Sequence, residues 1–519
     1  MINGNDEQAK VGADRFASVA EHFSNAFDLH QRGQLKDAWA AYQVCLDKMP
    51  GHPDALHLQG VIRAQSGDLL QAVSLISQAL EQQPDHPIYL GNRGNAYGEL
   101  GQFQQALNDF DRALTLKPDF ADALANRSNV LKALGQFDAA IAGYDRALKL
   151  KPYFPDVWNN RGLVLQARGE FAAAIASYDQ ALVQNSGFIE AWNNRGVALQ
   201  QSLCLDEAMH SFDRAILLRP DDPRAYNNKA LLLLLMGDYL NGWQLFEWRW
   251  KFPESGILPR NFSVPCWRGD EPLSGKTILL HAEQGFGDTL QMCRYVTQVA
   301  ALGANVIVEV QPPLLALISH NFSEMAICIC RGDTIPDFDL HCSLMSLPLA
   351  FRTTDSTIPV SIPYLQASPK KIEHWADQIG ERTRRCIGLV WHGNPCHKND
   401  KNRSIELTRL LSILTPGPQY VSLQKGLSSE DRITLASRQD IQLLGDNFES
   451  FEDTAAVCEL MDEIISVDTS VAHLAGALGK DTLVLLPDCP DWRWGLGFDR
   501  APWYPCCKLI RISEALRLA

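Results

Sequence analysis

A 34-residue period governs the first half of this chain and ends abruptly where a different kind of sequence begins. Segments starting at Val19, Pro53, Pro87, Ala121, Pro155, Ile189 and Pro223 align without a gap. One column reads Gly33, Gly67, Gly101, Gly135, Gly169, Leu203, Gly237. A second reads Ala38, Ala72, Ala106, Ala140, Ala174, Ala208, Gly242, and a third Pro50, Pro84, Pro118, Pro152, Ser186, Pro220. In the segment from Pro155, one helix carries Trp158, Leu163 and Leu165 and the next carries Ala174, Ile175, Tyr178 and Ala181. Gly169 turns between them, and Pro152 ends the preceding helix. Gly162 and Ala174 let the two helices approach, with Tyr178 filling the space beside them. One pair cannot bury its own apolar face, but stacked pairs bury a continuous one, so seven pairs should wind into a superhelix with a concave groove.

The pattern resembles that of tetratricopeptide arrays. The resemblance places the sixth position of each repeat on the groove, where the chain has Ser24, Leu58, Asn92, Asn126, Asn160, Asn194 and Asn228. An amide both donates and accepts, so a row of them can hold the backbone of an extended peptide. The row is similar to the asparagine ladder of eukaryotic O-GlcNAc transferases. Alternatively, the asparagines serve hydrogen bonds between repeats. The adjacent Arg93, Arg127, Arg161, Arg195 and Lys229 suit either an acidic ligand or salt bridges within the array. In the seventh repeat Gly242 replaces alanine, Arg249 takes the column of Ala215, and Trp243, Phe246, Trp248 and Trp250 crowd together. A terminal repeat of that kind should dock on another domain.

The net charge of −14 argues against nucleic acid as the main partner. The 13 cysteines form no C-x-x-C pair, which points to reduced thiols in the cytoplasm. Met1 to Phe16 shows no secretory signal, and the longest apolar run, Ala230 to Met236, is too short to span a bilayer.

From Lys276 short β-branched runs alternate with helical stretches. Strands are expected at Thr277–His281, Asn305–Val310, Ala326–Cys330, Cys386–Trp391, Gln419–Leu423, Ile441–Leu444, Glu463–Val467 and Thr482–Leu486. A break falls around Pro359 to Lys371. Two such series imply two doubly wound α/β halves facing a cleft. The expected organisation is a polar segment 1–18, seven repeats over 19–252, a linker 253–275, and two halves over 276–365 and 366–519.

Three motifs fall at strand ends, where such sheets bind ligands. In His281-Ala282-Glu283-Gln284-Gly285-Phe286-Gly287-Asp288 the glycines permit a tight turn and a helix should begin at Asp288. That aspartate is either a helix cap or a cleft carboxylate able to act as general base. Trp391-His392-Gly393-Asn394 leads into Lys398, Lys401 and Arg403 before a helix at Ile405. The three cations form either a diphosphate site or a solvated basic loop. His392, Cys396 and His397 are of metal-ligating type, but their spacing fits no strong zinc pattern. In the third motif Asp468, Thr469 or Ser470 should start a small-residue helix containing His473. Its first turn either cradles a phosphate or is ordinarily capped, and His473 faces either ligand or core.

Together these motifs resemble the heptosyltransferase-like glycosyltransferases of family 9, which have the GT-B fold. The family carries a G-D-x-L turn and a D-T-x-x-x-H-L-A-x-A-L-G segment, matched here by Gly287 to Leu290 and by Asp468 to Gly479. The resemblance spans Lys276 to Arg511, and the tail Pro490-Asp491-Trp492-Arg493-Trp494 suits a bacterial subgroup fused to tetratricopeptide repeats. It implies an inverting transfer from a nucleotide-sugar without metal or other cofactor. It also implies Asp288 as base, with Lys401, Arg403, Asp468, Thr469 and Ser470 toward the donor phosphates, alongside Gly287, His392 and His473. The acceptor would be a protein or peptide gripped by the repeats. The chain departs from the family where Ser470-Val471 replaces a glycine, where the basic loop is longer, and where the end after Arg511 leaves the returning helix short or missing. Those departures leave a second expectation, a non-catalytic repeat scaffold with a degenerate GT-B-like module.

Overall fold

The structure is a computed structural model that describes residues 4–252, 256–395 and 399–518. It divides into two compact units, Met1–Ala198 and Leu199–Ala519.

The first unit is a stack of helix pairs, among them Pro53–Gln65 with Leu69–Gln82, Pro87–Glu99 with Phe103–Leu116, Ala121–Ala133 with Phe137–Leu150, and Pro155–Ala167 with Phe171–Gln184. The alanine column supplies the tight approach: Ala38, Ala72, Ala106, Ala140 and Ala174 are fully enclosed. A Cβ on Gly162 would lie 2.5 Å from the Tyr178 ring, so the small and large residues of neighbouring helices are matched. Gly4–Gln31 is one unbroken helix. From Gly4 on, the polar segment expected over 1–18 therefore runs on into the first helix of the first repeat.

Six turns of the array have glycine at φ between +71° and +83°, and the same turn at Leu203 holds φ +60° without one. A side chain there meets its own carbonyl, a strain of about 1–2 kcal/mol. Leu203 is 44% exposed, so little burial is lost with it. Leu203→Gly should therefore stabilise the protein by about 1 kcal/mol in chemical denaturation, and a destabilised variant would contradict this reading of the turn.

The second unit takes in the seventh repeat, which corrects the boundary expected at residue 252. Its last helix, Tyr239–Phe246, runs only eight residues before a 3-10 turn at Glu247–Lys251. Trp243 and Phe246 join the same hydrophobic core as both α/β halves. A repeat that has lost its alanine column cannot accept another repeat, so its apolar face is spent on the sheet domain. The described part of the expected linker is also no free connection. Trp267 is buried there, donating from Nε1 to the Glu271 carbonyl at 3.0 Å, and Cys266 pairs with His341.

The first sheet comprises β1 (Thr277–His281), β2 (Asn305–Val310), β3 (Ala326–Cys330) and β4 (Leu340–Ser343), ordered β3-β2-β1-β4 and all parallel. The second comprises β5 (Cys386–Val390), β6 (Gln419–Ser422), β7 (Ile441–Leu443), β8 (Glu463–Val467), β9 (Thr482–Leu486), β10 (Arg500–Ala501) and β11 (Tyr504–Arg511). Its order is β10-β11-β9-β8-β5-β6-β7, parallel except where β10 runs against β11. The strand order reverses between β1 and β4 in one sheet and between β5 and β8 in the other. All three motifs follow strands at these switch points, the places where open α/β sheets bind their ligands. The last helix, Ile512–Leu518, packs beside the second sheet and the helix Leu407–Ile413.

Candidate functional site

The turn after β1 starts its helix at Phe286, two residues earlier than the sequence suggests, because Gly285 takes the capping position. Asp288 lies in the first turn and its Oδ2 accepts the Gly285 N–H at 2.8 Å. The other carboxylate oxygen pairs with Arg493 from the second half. Asp288 thus serves as a helix cap and as one partner of an ion pair between the two sheets' halves. Gly287 touches the opposite half as well: a Cβ there would sit 2.7 Å from the His473 ring. Gly287→Ala would force the two halves apart at that contact.

Facing this turn is the helix Ser470–Ala477, capped by Thr469. The Thr469 hydroxyl bonds Ser466 Oγ at 3.1 Å rather than its own helix, and Ser470 lies half-buried on the first turn. His473 is buried, stacked on Trp494 at 4.9 Å, with Nδ1 3.1 Å from the Tyr504 hydroxyl. Burial and the nearby Arg493, Arg294 and Arg403 hold its pKa well below the usual histidine value. The ring is therefore neutral, and its 3.9 Å approach to Asp468 is a dipolar contact, not an ion pair. Burial, reinforced by Asp491, pushes the Asp468 carboxyl up to about 6, against the pull of Arg403 and Arg493.

The loop after β5 is pinned by Gln424, whose Oε1 accepts both the Trp391 and His392 N–H groups at 3.1 Å. His392 lies half-buried, its Nδ1 2.9 Å from the Gly393 carbonyl. The expected helix at Ile405 divides into Asp400–Arg403 and Leu407–Ile413, with Ile405 buried between them. Arg403 pairs with Asp400 at 3.2 Å and packs on Gly393, where a Cβ would lie 2.4 Å from its Nη2. Its charge reaches Asp468 and His473. Lys401 is exposed on the same short helix. Cys396, His397 and Lys398 lie outside the described residues.

Two arginines that the motifs did not single out organise this cleft. Arg493 pairs with Asp288 and, at 2.7 Å, with Asp491, and its guanidinium stacks 4.3 Å over Trp492. Among the described residues its buried Nε has no hydrogen-bond partner. These carboxylates hold its pKa above the ordinary arginine value despite its burial. Arg294 is enclosed by dipoles: it donates to the carbonyls of Gln291, Pro359 and Trp503 at 2.8, 3.0 and 2.9 Å and to the Tyr364 hydroxyl at 3.0 Å. It thus ties the first half, the connecting segment and the second half together.

A third arginine joins the seventh repeat to the β1 turn. Arg249 is 1% exposed and donates to Glu283 at 2.8 Å, Glu247 at 2.6 Å, Ser346 at 2.7 Å and the Phe246 carbonyl at 3.1 Å. Glu283 Oε2 is buried with no hydrogen-bond partner among the described residues, and burial pushes its carboxyl up to about 7 although Arg249 opposes the shift. A carboxyl raised from 4.5 to about 7 favours folding in full below 4.5 and loses that contribution as pH rises through 7. Glu283→Gln should therefore gain stability on the wild type between about pH 5 and about pH 8. A stability difference flat across paired thermal melts would contradict it.

In the first unit the asparagine column is engaged between repeats. Asn92 lies 2.8 Å from His57 Nε2, and Asn194 donates to Asn159 at 2.9 Å. Asn160 donates to Asn129 and accepts from Lys132, both at 3.2 Å. Asn126 is half-buried, as is Asn228 in the second unit. The neighbouring cations are neutralised within the array: Arg93 by Asp109, Arg127 by Asp111, Arg161 by Asp145, Arg195 by Asp179, and Lys229 by Asp213. An acidic ligand would have to displace these aspartates.

Residues 87–120 and 159–208 match family models described as tetratricopeptide repeat, and residues 128–169 match one described as TPR repeat. This part of the chain is a tetratricopeptide solenoid, an architecture that presents extended surfaces for protein–protein interaction. Protein FlbA of Caulobacter vibrioides is 26% identical over 311 residues, covering 54% of this chain and 50% of its own. The chain thus spans about half the length of that curated relative. Among solved structures, MamA is 25% identical, covering 31% of this chain and 94% of its own, with a TM-score of 0.29. YrrB, described as a TPR protein with an unusual peptide-binding site, is 21% identical over 37% of this chain and 98% of its own, with a TM-score of 0.32. A tetratricopeptide repeat protein from Parabacteroides merdae is 19% identical over 46% of this chain and 93% of its own, with a TM-score of 0.38. Among the described residues, no helix is long and apolar enough to cross a membrane.

Proposed function

We propose that the second unit is a glycosyltransferase of GT-B architecture that transfers a sugar, with inversion, from a nucleoside-diphosphate donor. The observation that carries this is the convergence of two switch points on one cleft. A carboxylate from the first sheet, Asp288, faces cations and a helix N-terminus from the second. In the transfer, Asp288 takes the proton of the acceptor hydroxyl. The acceptor oxygen bonds to the anomeric carbon on the face opposite the diphosphate. The bond from that carbon to the diphosphate breaks, leaving its electron pair on the phosphate oxygen. Arg403, Lys401 and the first turn at Thr469 and Ser470 neutralise the departing charge, a task cations and helix dipoles perform without a metal. His473 and Gly287 keep the halves in register, and His392 borders the donor side.

The tetratricopeptide repeats hold the protein or peptide acceptor, with the asparagine column in contact with its backbone. Every cysteine among the described residues is an unbridged thiol, which suits action in the cytoplasm. A specific observation favours a second reading, a scaffold with a degenerate module: Asp288 is already paired, and Asn160 has both ends of its amide engaged. Calorimetric titration with UDP, GDP, ADP and CDP separates the two. Binding of at least one is expected of the enzyme, and indifference to all four leaves the scaffold.

A further inference from the structure

We infer that the Asp288–Arg493 ion pair is a lock on the empty cleft, and that the donor diphosphate opens it by taking Arg493 for itself. This inference rests on the glycosyltransferase reading.

Arg493 stands among three carboxylates, those of Asp288, Asp491 and Asp468. Asp491 lies two residues away and is bonded to both the Arg493 backbone N–H, at 3.0 Å, and its Nη1, at 2.7 Å. That partner belongs to the loop itself and shapes it. Asp288 is the foreign partner, 205 residues away on the other half, and it meets the Nη2 end of the guanidinium. The pair therefore joins the two halves, and Arg493 also interacts with Asp468, the residue before the Thr469 cap. A diphosphate seated at that helix start competes with Asp288 for the same end of the guanidinium. The buried Nε of Arg493, with no hydrogen-bond partner among the described residues, supplies a further donor that small movement of the side chain would bring to bear.

The exchange has a consequence for catalysis. A carboxylate oxygen engaged by a guanidinium is turned to that partner and not to an incoming acceptor hydroxyl. Once the diphosphate has claimed Arg493, Asp288 keeps only the Gly285 N–H and is released toward the acceptor hydroxyl. The base becomes active only when the leaving group is already in place, which guards against futile chemistry in the empty enzyme. Arg493 is thus assigned as a diphosphate-binding residue in addition to Arg403.

The test uses the full chain as wild type, Asp288→Asn, Arg493→Gln, Arg493→Lys and the double variant Asp288→Asn/Arg493→Gln. Each is checked for folding by circular dichroism and titrated with inorganic pyrophosphate, UDP, GDP, ADP and CDP. Removing the lock by Asp288→Asn should tighten binding of the preferred nucleoside diphosphate by up to about tenfold, and Arg493→Gln should weaken it about ten- to a hundredfold. Arg493→Lys should fall between wild type and Arg493→Gln. In the double variant the gain from Asp288→Asn should vanish, a coupling that a merely structural role would not produce. Binding that is unchanged or weakened by Asp288→Asn overturns the lock and leaves the glycosyltransferase reading standing. No binding by any folded form, Asp288→Asn included, overturns that reading and the lock with it. Should the Arg493 variants fail to fold, the direction of the Asp288→Asn change decides alone.

Discussion

Replacing Arg249 with methionine is expected to destabilise the second unit by about 3–5 kcal/mol, the largest effect of any single substitution considered. The side chain is 1% exposed and its guanidinium satisfies two carboxylates, a hydroxyl and a carbonyl. Methionine fills much the same volume and removes every one of those donors. Glu283, 4% exposed, is left with a buried charge or is forced to protonate. Adding Glu283→Gln should therefore recover a part of the loss, since a neutral amide no longer needs the cation. Denaturant unfolding followed by near-ultraviolet circular dichroism reads both variants. A loss under about 1 kcal/mol for Arg249→Met would show that the network is dispensable, and with it the claim that the seventh repeat is built into the sheet domain.

The second large effect concerns turnover. Asp288→Asn should lower the rate of sugar transfer about 10²- to 10⁴-fold, the range that a positioned general base supplies. Asparagine retains an oxygen for the Gly285 N–H, so the cap that the carboxylate provides at 2.8 Å is kept and folding is spared. The loss should fall on kcat, with donor binding tightened as the opened Arg493 lock requires, because the proton is removed only as the acceptor attacks. Steady-state kinetics on the purified variant would show the split. A variant that fails through KM alone would place Asp288 on the binding side instead.

Much of the architecture was legible before any coordinates. β1, β2, β3, β8 and β9 match the expected bounds because each is an apolar run with β-branched residues that has a glycine, proline or charge within two positions on either side. β4, with Leu340-His341-Cys342-Ser343, carries no such signal and becomes a strand only through its pairing with β1. β11 was hidden by Pro505 and the paired cysteines, and it is held by its register on β9. The 34-residue period located the repeats, but not where the array yields to the sheet domain, since that depends on what Trp243 and Arg249 touch 34 to 110 residues later. Within the site, the turn glycines and Asp288 announced themselves by spacing. Arg493 did not: its partner across the cleft is 205 residues away, and an arginine between two tryptophans reads locally as part of an aromatic cluster. The asparagine column showed its period without showing that its amides are turned to the neighbouring repeat.

The measurement that bears most directly on the central claim is a mass-spectrometric transfer assay. The full chain is incubated with UDP-, GDP-, ADP- and CDP-sugars and cell lysate as acceptor, beside the Asp288→Asn variant. The account predicts turnover of one donor, a matching mass added to an acceptor, and loss of both in the variant. No turnover from any donor by folded wild-type protein would contradict it, and would leave the tetratricopeptide scaffold as the reading to pursue.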